Sequence, residues 1–339
     1  FETLELENNK LLNIDKNFSL KIQKCDFYDS ALILKVNDKT IFNINDCPLK
    51  SKSDIEGFKK KYGQCDYLFT QFSYAAWKGG KNNSGWRDFA AREKIQTLKN
   101  QSEIFGSKFT IPFASFIKFS DNYNNYLNDS INTPNIIIKK CKDLNSKIIF
   151  LEPYQIFDLD NPKEDTQGYN FWNKIYENRI NFDTISSNKI YEFETLKESF
   201  DIYQKRIFEN NSKSLIFILS KLKFFQFFQP IIIELKDLNK IIEVDIANNI
   251  FKKVNKEPDI EMYSRSLNLI FIQDFGFDTL TVNGCFEERK KNAFAKISKS
   301  FAIGNLNNLG ISLNYLIIFN ISVIILFLKK LLYIKKKLA

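Results

Sequence analysis

The sequence predicts an α/β protein followed by an α+β region, and three observations carry this prediction. Short apolar runs alternate with segments of helical periodicity between residues 18 and 151. Residues 172–229 are rich in Phe and read as mainly helical, whereas residues 230–286 contain several β-branched runs. A polar stretch with Pro and Gly, residues 153–171, predicts a loop or linker between the two regions.

The elements of the first region follow from their local patterns. Residues 18–24 alternate between apolar and polar side chains, which predicts a strand. Strands over 31–36 and 40–44 flank a tight Asn-Asp-Lys turn and predict a hairpin. The other predicted elements are a helix over 53–61 with Ser53 as its N-cap, an amphipathic helix over 87–104, and strands over 67–70, 109–113 and 148–151.

The β-branched runs of the second region predict strands over 231–235, 241–246, 267–272 and 280–282. The chain then ends in a distinctive tail, where residues 311–328 carry no charge and are followed by Lys329 and Lys330. A bilayer span needs about 20 apolar residues, and polar side chains interrupt this run. Residues 311–339 therefore predict an apolar, then basic helix that is buried, spans a membrane or lies on its surface.

Composition excludes several kinds of chemistry. The 339 residues include no His, which removes Ser-His-Asp triads, HExxH zinc sites and Rieske clusters from this polypeptide alone. The five Cys residues form no CxxC pair, which favours reduced thiols and a cytoplasmic location. The alternative location is a membrane, through residues 311–337. Although the net charge is +9, no nucleic acid partner is predicted.

Residues 28–47 (YDSALILKVNDKTIFNINDC) resemble a segment of CMP-N-acetylneuraminate hydroxylase and its bacterial relatives. The match is ordered over about residues 18–150 and weaker to about residue 305. Later matching segments are 66–72, 111–116, 128–134 and 278–286. The resemblance implies a metallo-β-lactamase-type fold, a four-layer αββα sandwich of two similar halves. It further implies that strands 31–44 and 109–113 share one sheet.

The chain departs from this family in one respect that changes the expectation. The His-x-His-x-Asp-His motif of the first half has no counterpart, and the resemblance begins partway through the domain. We therefore expect a fragment that is inactive alone. Its expected parts are the second half of a partial αββα sandwich (1–152), a linker (153–171), an α+β accessory region (172–310) and the C-terminal helix (311–339).

The resemblance implies that the complete protein is a metal-dependent hydrolase, or a partner of an oxidoreductase, that acts on a sugar or nucleotide-sugar. Its cofactor would be a divalent metal, Zn, Mn or Fe. A non-catalytic relative that binds a ligand or a partner is the alternative. An unrelated α/β protein is a third possibility.

Two residues are predicted metal ligands on the strength of the resemblance. Asp46 ends a strand where the family places a ligating Asp, although it would equally cap the following turn. Cys25 falls where the family places a second-half His, and thiolate binds zinc well. The alternative for Cys25 is a buried strand end, with Asp26 or Asp29 as the ligand.

Four residues are predicted to bind substrate. Gln71 and Ser73 lie in a loop after a strand, a common place for binding residues in α/β folds. Asp121 and Asn132 lie in an amide-rich loop, for which Asx turns are the plainer explanation. A glycine-containing loop also carries aromatic and basic residues that would hold a sugar or phosphate, or merely anchor the loop: Trp77, Lys78, Trp86 and Arg87.

Overall fold

The structure is a computed structural model that describes residues 3–25, 29–162, 166–178, 189–222 and 225–316. It is a mixed α/β protein that divides into two compact units. The first unit comprises Phe1–Ser120 and Asn125–Ile185, and the second comprises Asp121–Asn124 and Ser186–Ala339. Each unit contains one mixed sheet.

The first unit is built on a seven-stranded sheet in the order β1-β2-β3-β4-β5-β6-β7. The strands are β1 (Leu11–Asn13), β2 (Phe18–Cys25), β3 (Asp29–Val36), β4 (Lys39–Asn45), β5 (Tyr67–Thr70), β6 (Phe109–Pro112) and β7 (Lys147–Ile148). The first four strands pair antiparallel, and β4 to β7 pair parallel. Strands 31–44 and 109–113 therefore share one sheet, as the resemblance requires.

The helices of this unit are α1 (Lys52–Tyr62), α2 (Ser84–Phe105), α3 (Pro134–Lys140) and α4 (Gln167–Asn178), with a 3-10 helix over Asn125–Ser130. Of these helices, α1 and α2 lie close to the two predicted positions, whereas α3 was not predicted. The N-cap of α1 is Ser51 and not Ser53, because the Ser51 hydroxyl accepts from the Asp54 N–H at 3.1 Å. The predicted loop 153–171 is too long, since α4 begins at Gln167. Gly168 permits this start, because a Cβ there would lie 2.0 Å from the Phe150 carbonyl oxygen.

Apolar side chains pack against both faces of the sheet. On one face, the Phe42 ring meets Phe58 of α1 and Phe105 of α2 edge to face, at 5.4 and 5.3 Å. The other face includes Tyr67, whose hydroxyl donates to the Leu159 carbonyl at 2.6 Å. The described part of this unit contains one sheet, so a partial αββα sandwich is not confirmed.

The second unit is built on a five-stranded sheet in the order β10-β9-β8-β11-β12, in which only the β8–β11 pair is parallel. Its strands are β8 (Ile231–Leu235), β9 (Lys240–Asp245), β10 (Ile250–Lys253), β11 (Ile260–Met262) and β12 (Phe286–Glu288). Its helices are α5 (Phe193–Asn210), α6 (Lys213–Lys221), α7 (Ser264–Ile272), α8 (Gly276–Asn283) and α9 (Ala293–Asn308).

Two strands predicted in this unit are wrong. Residues 267–272 belong to α7 and residues 280–282 to α8. A short apolar run does not by itself distinguish a strand from a buried helix. The α7 start is stabilised by Asp237, whose carboxylate accepts from the Ser264 N–H at 2.8 Å. That partner is 27 residues away, so no local capping signal was present.

The C-terminal tail is described only as far as Leu316. Residues 311–316 form an irregular turn and no helix. The remainder of the predicted helix, 317–339, lies outside the described residues. Within the described ranges, no helix has the length and hydrophobicity needed to cross a bilayer.

Candidate functional site

The most promising cleft lies where two parallel strands end side by side. β4 and β5 are neighbours in register, with Asn45 opposite Thr70, and a bulge occurs between Asn43 and Asn45. Polar residues follow directly, with Asp46 after β4 and Gln71 after β5. In open α/β sheets, ligands bind outside the carboxyl ends of parallel strands.

Helix α2 supplies the other wall of this cleft. Lys94, Thr97 and Gln101 lie three and four residues apart, so they share one helix face. The residues that line the cleft are Asn45, Cys47, Lys50, Thr70, Gln71, Glu93, Lys94, Thr97 and Gln101. Its volume of about 20 Å³ is enough for one water molecule and not for a sugar ring.

The wall beside the cleft is held in place by buried hydrogen bonds. The Thr70 hydroxyl donates to the Gln101 side-chain carbonyl at 2.5 Å, and the Gln101 amide donates to the Leu49 carbonyl at 2.9 Å. Gln101 is buried, so these two bonds tie α2 to the segment after β4 and to the end of β5. The cleft is therefore formed before any ligand arrives.

Lys94 is the unusual group of the cleft. Its ammonium donates to the side-chain carbonyl of Gln71. No described residue forms an ion pair with it. Burial, together with the positive charges of Lys50 and Lys78, lowers the pKa of Lys94 to about 8. The negative charges of Asp46 and Glu93 oppose this shift in part. The cleft therefore contains a partly desolvated cation that forms no ion pair with a described residue, although the Glu93 carboxylate lines the same cleft.

The structure separates the four predicted substrate-binding residues. Gln71 lines the cleft. Ser73 and Asn132 are buried and bond to each other, since the Asn132 N–H donates to the Ser73 hydroxyl at 3.0 Å. The Asn132 side chain also donates to the Phe72 and Ala91 carbonyls, at 2.7 and 2.9 Å. These partners show that Ser73 and Asn132 fasten the loop to α2.

Asp121 belongs to the second unit. Its carboxylate accepts from the Tyr123 N–H at 2.8 Å and forms an ion pair with Arg265. This is the Asx-type turn that the sequence offered as the plainer explanation. Asp121 is therefore part of the second unit, whereas the cleft is built from residues of the first.

The predicted metal ligands lie close to the cleft but do not form a ligand set. Asp46 is exposed, whereas Cys25 is buried in the same core cluster as Cys47. A hydrogen bond between the two thiols, together with burial, raises the pKa of Cys47. Among the described residues, no group of three or more Cys, Asp or Glu side chains is arranged to hold a metal. These residues do not fit a divalent metal by themselves.

The assignment of Asp46 and Cys25 as ligands stays a prediction, and the alternative ligand Asp26 lies outside the described residues. The same holds for the metal that they would bind. No step of the proposals below passes through a metal.

The loop around Gly79 and Gly80 is anchored by Arg87. This side chain is almost completely buried and donates to the carbonyls of Gly80 and Asn83, at 2.7 and 3.2 Å. It also forms a two-point ion pair with Asp129, at 2.8 and 2.7 Å. Arg87 therefore anchors the loop and does not face a ligand.

The sequence reading missed Lys94, although a signal was present. Along α2, polar residues recur every seven positions, at Arg87, Lys94 and Gln101. They lie near the buried Leu98 and Phe105 on the inward side of the helix. Three polar side chains at this spacing on an inward helix face indicate specific polar partners inside the protein.

Comparison with known proteins adds little to these observations. No protein-family model matches the chain, and no curated protein matches it. One similar solved structure is a mutant of the CmlA beta-hydroxylase, with a TM-score of 0.30 and 7% sequence identity. The similarity covers 44% of this chain and 32% of that one. At this level it assigns neither a family nor an activity.

Proposed function

We propose that the first unit is a non-catalytic module that binds the anionic group of a sugar acid or nucleotide-sugar at the Lys94 cleft. One observation carries this proposal: a mostly buried ammonium meets an amide oxygen where a buried cation ordinarily has a carboxylate. The ligand would supply the counter-charge that the described protein does not.

The energetic argument follows from the pKa. An ordinary Lys titrates near 10.5, so a pKa of about 8 corresponds to roughly 3 kcal/mol against the charged form. An anion next to the ammonium would recover part of this free energy and raise the pKa again. Binding should therefore take up protons, and it should weaken as the pH rises through about 8.

The geometry limits which part of the ligand enters. One oxygen of a phosphate or carboxylate fills a space the size of one water. The side-chain carbonyl of Gln71 accepts from Lys94. The side-chain N–H groups of Gln71 could therefore donate to an oxygen of the ligand. The rest of the ligand would lie outside the cleft, beside the exposed Lys50.

The resemblance to CMP-N-acetylneuraminate hydroxylase suggests the ligand class. A CMP-sugar acid carries both a phosphate and a carboxylate, and the cleft chemistry accepts either. Isothermal titration of the full chain with CMP-N-acetylneuraminate, N-acetylneuraminate, CMP and inorganic phosphate distinguishes these groups.

The matched variants are Lys94→Met and Lys99→Met. Lys99 lies on the same helix, but its ammonium already forms an ion pair with Asp143 at 2.8 Å. Loss of one buried charge-assisted bond should weaken binding at least tenfold in Lys94→Met and leave Lys99→Met unchanged. Equal binding by both variants would contradict the proposal, as would the absence of binding by all four probes.

A metal-dependent hydrolase remains the function that the resemblance implies for a complete protein, on a sugar or nucleotide-sugar. It would depend on a His-rich segment, which this chain does not contain. We expect no turnover of phosphodiesters or lactones by this chain with Zn²⁺, Mn²⁺ or Fe²⁺ added. Robust turnover would show that the binding proposal is incomplete. A cytoplasmic location also stays a prediction.

A further inference from the structure

The second unit exposes a continuous apolar surface along and after α6. We call this surface the α6 ridge. Its members are Phe217, Ile218, Leu222, Phe225, Tyr315 and Leu316, which are between 44% and 71% exposed. Single exposed apolar residues are ordinary, but six large ones on adjoining segments mark an interaction surface.

Helix α6 is apolar on both of its sides. Ile216 is fully buried on the inner side, whereas Phe217 and Ile218 point outward and are about half exposed. A helix that is hydrophobic all round is normally covered on every side. The outer side of α6 thus presents an apolar face that requires an apolar environment.

The described end of the chain extends this surface. The Ser212 N–H donates to the Leu313 carbonyl at 2.8 Å, and the hydroxyls of Ser214 and Tyr315 are 2.8 Å apart. Leu313 in turn donates its N–H to the Asn211 side chain at 2.7 Å. These bonds hold Tyr315 beside the start of α6, so the two segments form one surface.

The positive charge of the protein is concentrated in the same two segments. Residues 210–233 and 289–339 contain no Asp or Glu, yet they hold 13 of the 49 Lys and Arg residues. The 36 cations elsewhere are outnumbered by the 40 Asp and Glu residues. The net charge of +9 is therefore a property of these segments, and Lys213 and Lys221 lie exposed on α6 itself.

We propose that the α6 ridge binds the surface of a membrane that contains anionic lipid. Apolar side chains would enter the boundary between headgroups and acyl chains, and the surrounding lysines would approach lipid phosphates. α6 has nine residues, which is too short to cross a bilayer and suits a position in its surface.

This proposal does not depend on the cleft of the first unit. A second copy of the chain would also cover an apolar ridge, but two copies would bring like charges together. In an anionic lipid, the acyl chains would contact the apolar side chains of the α6 ridge and the charged headgroups would contact its lysines.

The test is flotation of the full chain with phosphatidylcholine vesicles and with vesicles that also contain phosphatidylglycerol. The variant is the double substitution Phe217→Ser and Ile218→Ser, and the matched control is Phe89→Ser, which removes a Phe that is 52% exposed on α2. We expect the wild type and the control to float with the anionic vesicles. The double variant should partition about tenfold less.

A second measurement covers the case in which the double variant fails to fold. Phe217→Trp should show quenched fluorescence with brominated lipid in anionic vesicles, whereas Phe89→Trp should not. Equal flotation of the double variant, or equal quenching at both positions, would overturn the proposal. So would concentration-dependent dimers that protect Phe217 while vesicles do not bind.

Discussion

The buried carboxylates of the second unit have cationic partners, whereas the Lys94 cleft of the first unit holds a cation without an ion pair among the described residues. In the second unit, Asp259 accepts from the Ile232 N–H at 2.9 Å and pairs with Lys296 at 2.6 Å. Glu243 likewise pairs with Lys256 at 2.7 Å. In the first unit, Arg87 pairs with Asp129, but Lys94 bonds to the amide oxygen of Gln71 and forms no ion pair with a described residue. What distinguishes the cleft is thus the lack of an ion pair at Lys94 within the described part of the chain.

The sheet of the second unit shows why this distinction matters. Glu234, Glu261 and Glu287 lie opposite one another across β8, β11 and β12, a row that resembles a cation site. Yet Glu261 accepts from the Tyr123 hydroxyl at 2.8 Å and lies 3.3 Å from Arg289. Glu234 pairs with Lys236 at 3.1 Å. Acidic residues that already have cationic partners are structural.

The largest expected effect is the loss of a buried charge that is fully paired. Arg87→Met should lower the free energy of unfolding by about 4 kcal/mol, because Asp129 and the loop carbonyls lose their donor. Urea unfolding measures this loss. Arg92→Met, at an exposed position of the same helix, should change stability by less than about 0.5 kcal/mol. If Arg87→Met changed the free energy of unfolding only slightly, the paired Arg87 and the unpaired Lys94 would no longer differ in their contribution to stability.

A smaller effect is expected for Asp259→Asn, about 2 kcal/mol at pH 7. Burial works against ionisation, but the Ile232 N–H and Lys296 outweigh it and hold the pKa of Asp259 below 3.8. The carboxylate therefore contributes stability above pH 4, and this contribution is lost as the pH falls through the lowered pKa. The difference in free energy of unfolding between wild type and variant should therefore be smaller at pH 3 than at pH 7. Glu257→Gln, at an exposed carboxylate, is the control.

The smallest effect has the opposite sign. Lys94→Met should stabilise the chain by about 1–2 kcal/mol at pH 7, because the desolvated ammonium is removed. Between pH 8 and 10.5 the unfolded state holds more protons at Lys94 than the folded state, so the wild type gains stability as the pH rises. The advantage of the variant should shrink across this window. A destabilised Lys94→Met at pH 7 would show that the ammonium has a counter-charge after all.

Local pattern was sufficient for several elements of the fold. The hairpin over 31–44 and the helix over 87–104 appear where the periodicity predicts them. Both have strong signals, namely a turn between alternating runs and a long amphipathic period. Gln71 lines the cleft, because a polar residue that directly follows a strand lies at the edge of the sheet, and its role in substrate binding stays a prediction.

Other features depended on distant partners and were not accessible from local pattern. The runs 267–272 and 280–282 became helices, the first with a start that Asp237 stabilises from 27 residues away. Ser73 and Asn132 bond to each other, and Asn132 also bonds to α2, which the local pattern did not indicate; their role in substrate binding stays a prediction. The residue type determines which interactions a side chain can make. The neighbours that folding places around it determine which of these interactions form.

By itself, the sequence determined the absence of imidazole chemistry, the α/β alternation and the gathering of positive charge in two segments, because these depend only on residue type and spacing. Only the tertiary structure decided that the half-buried Lys94 bonds to Gln71 and forms no ion pair with a described residue, that Arg87 is paired with Asp129 and that α6 leaves one apolar side exposed. The physical reason is that desolvation and charge pairing are properties of neighbours in space, which the order of residues along the chain does not specify.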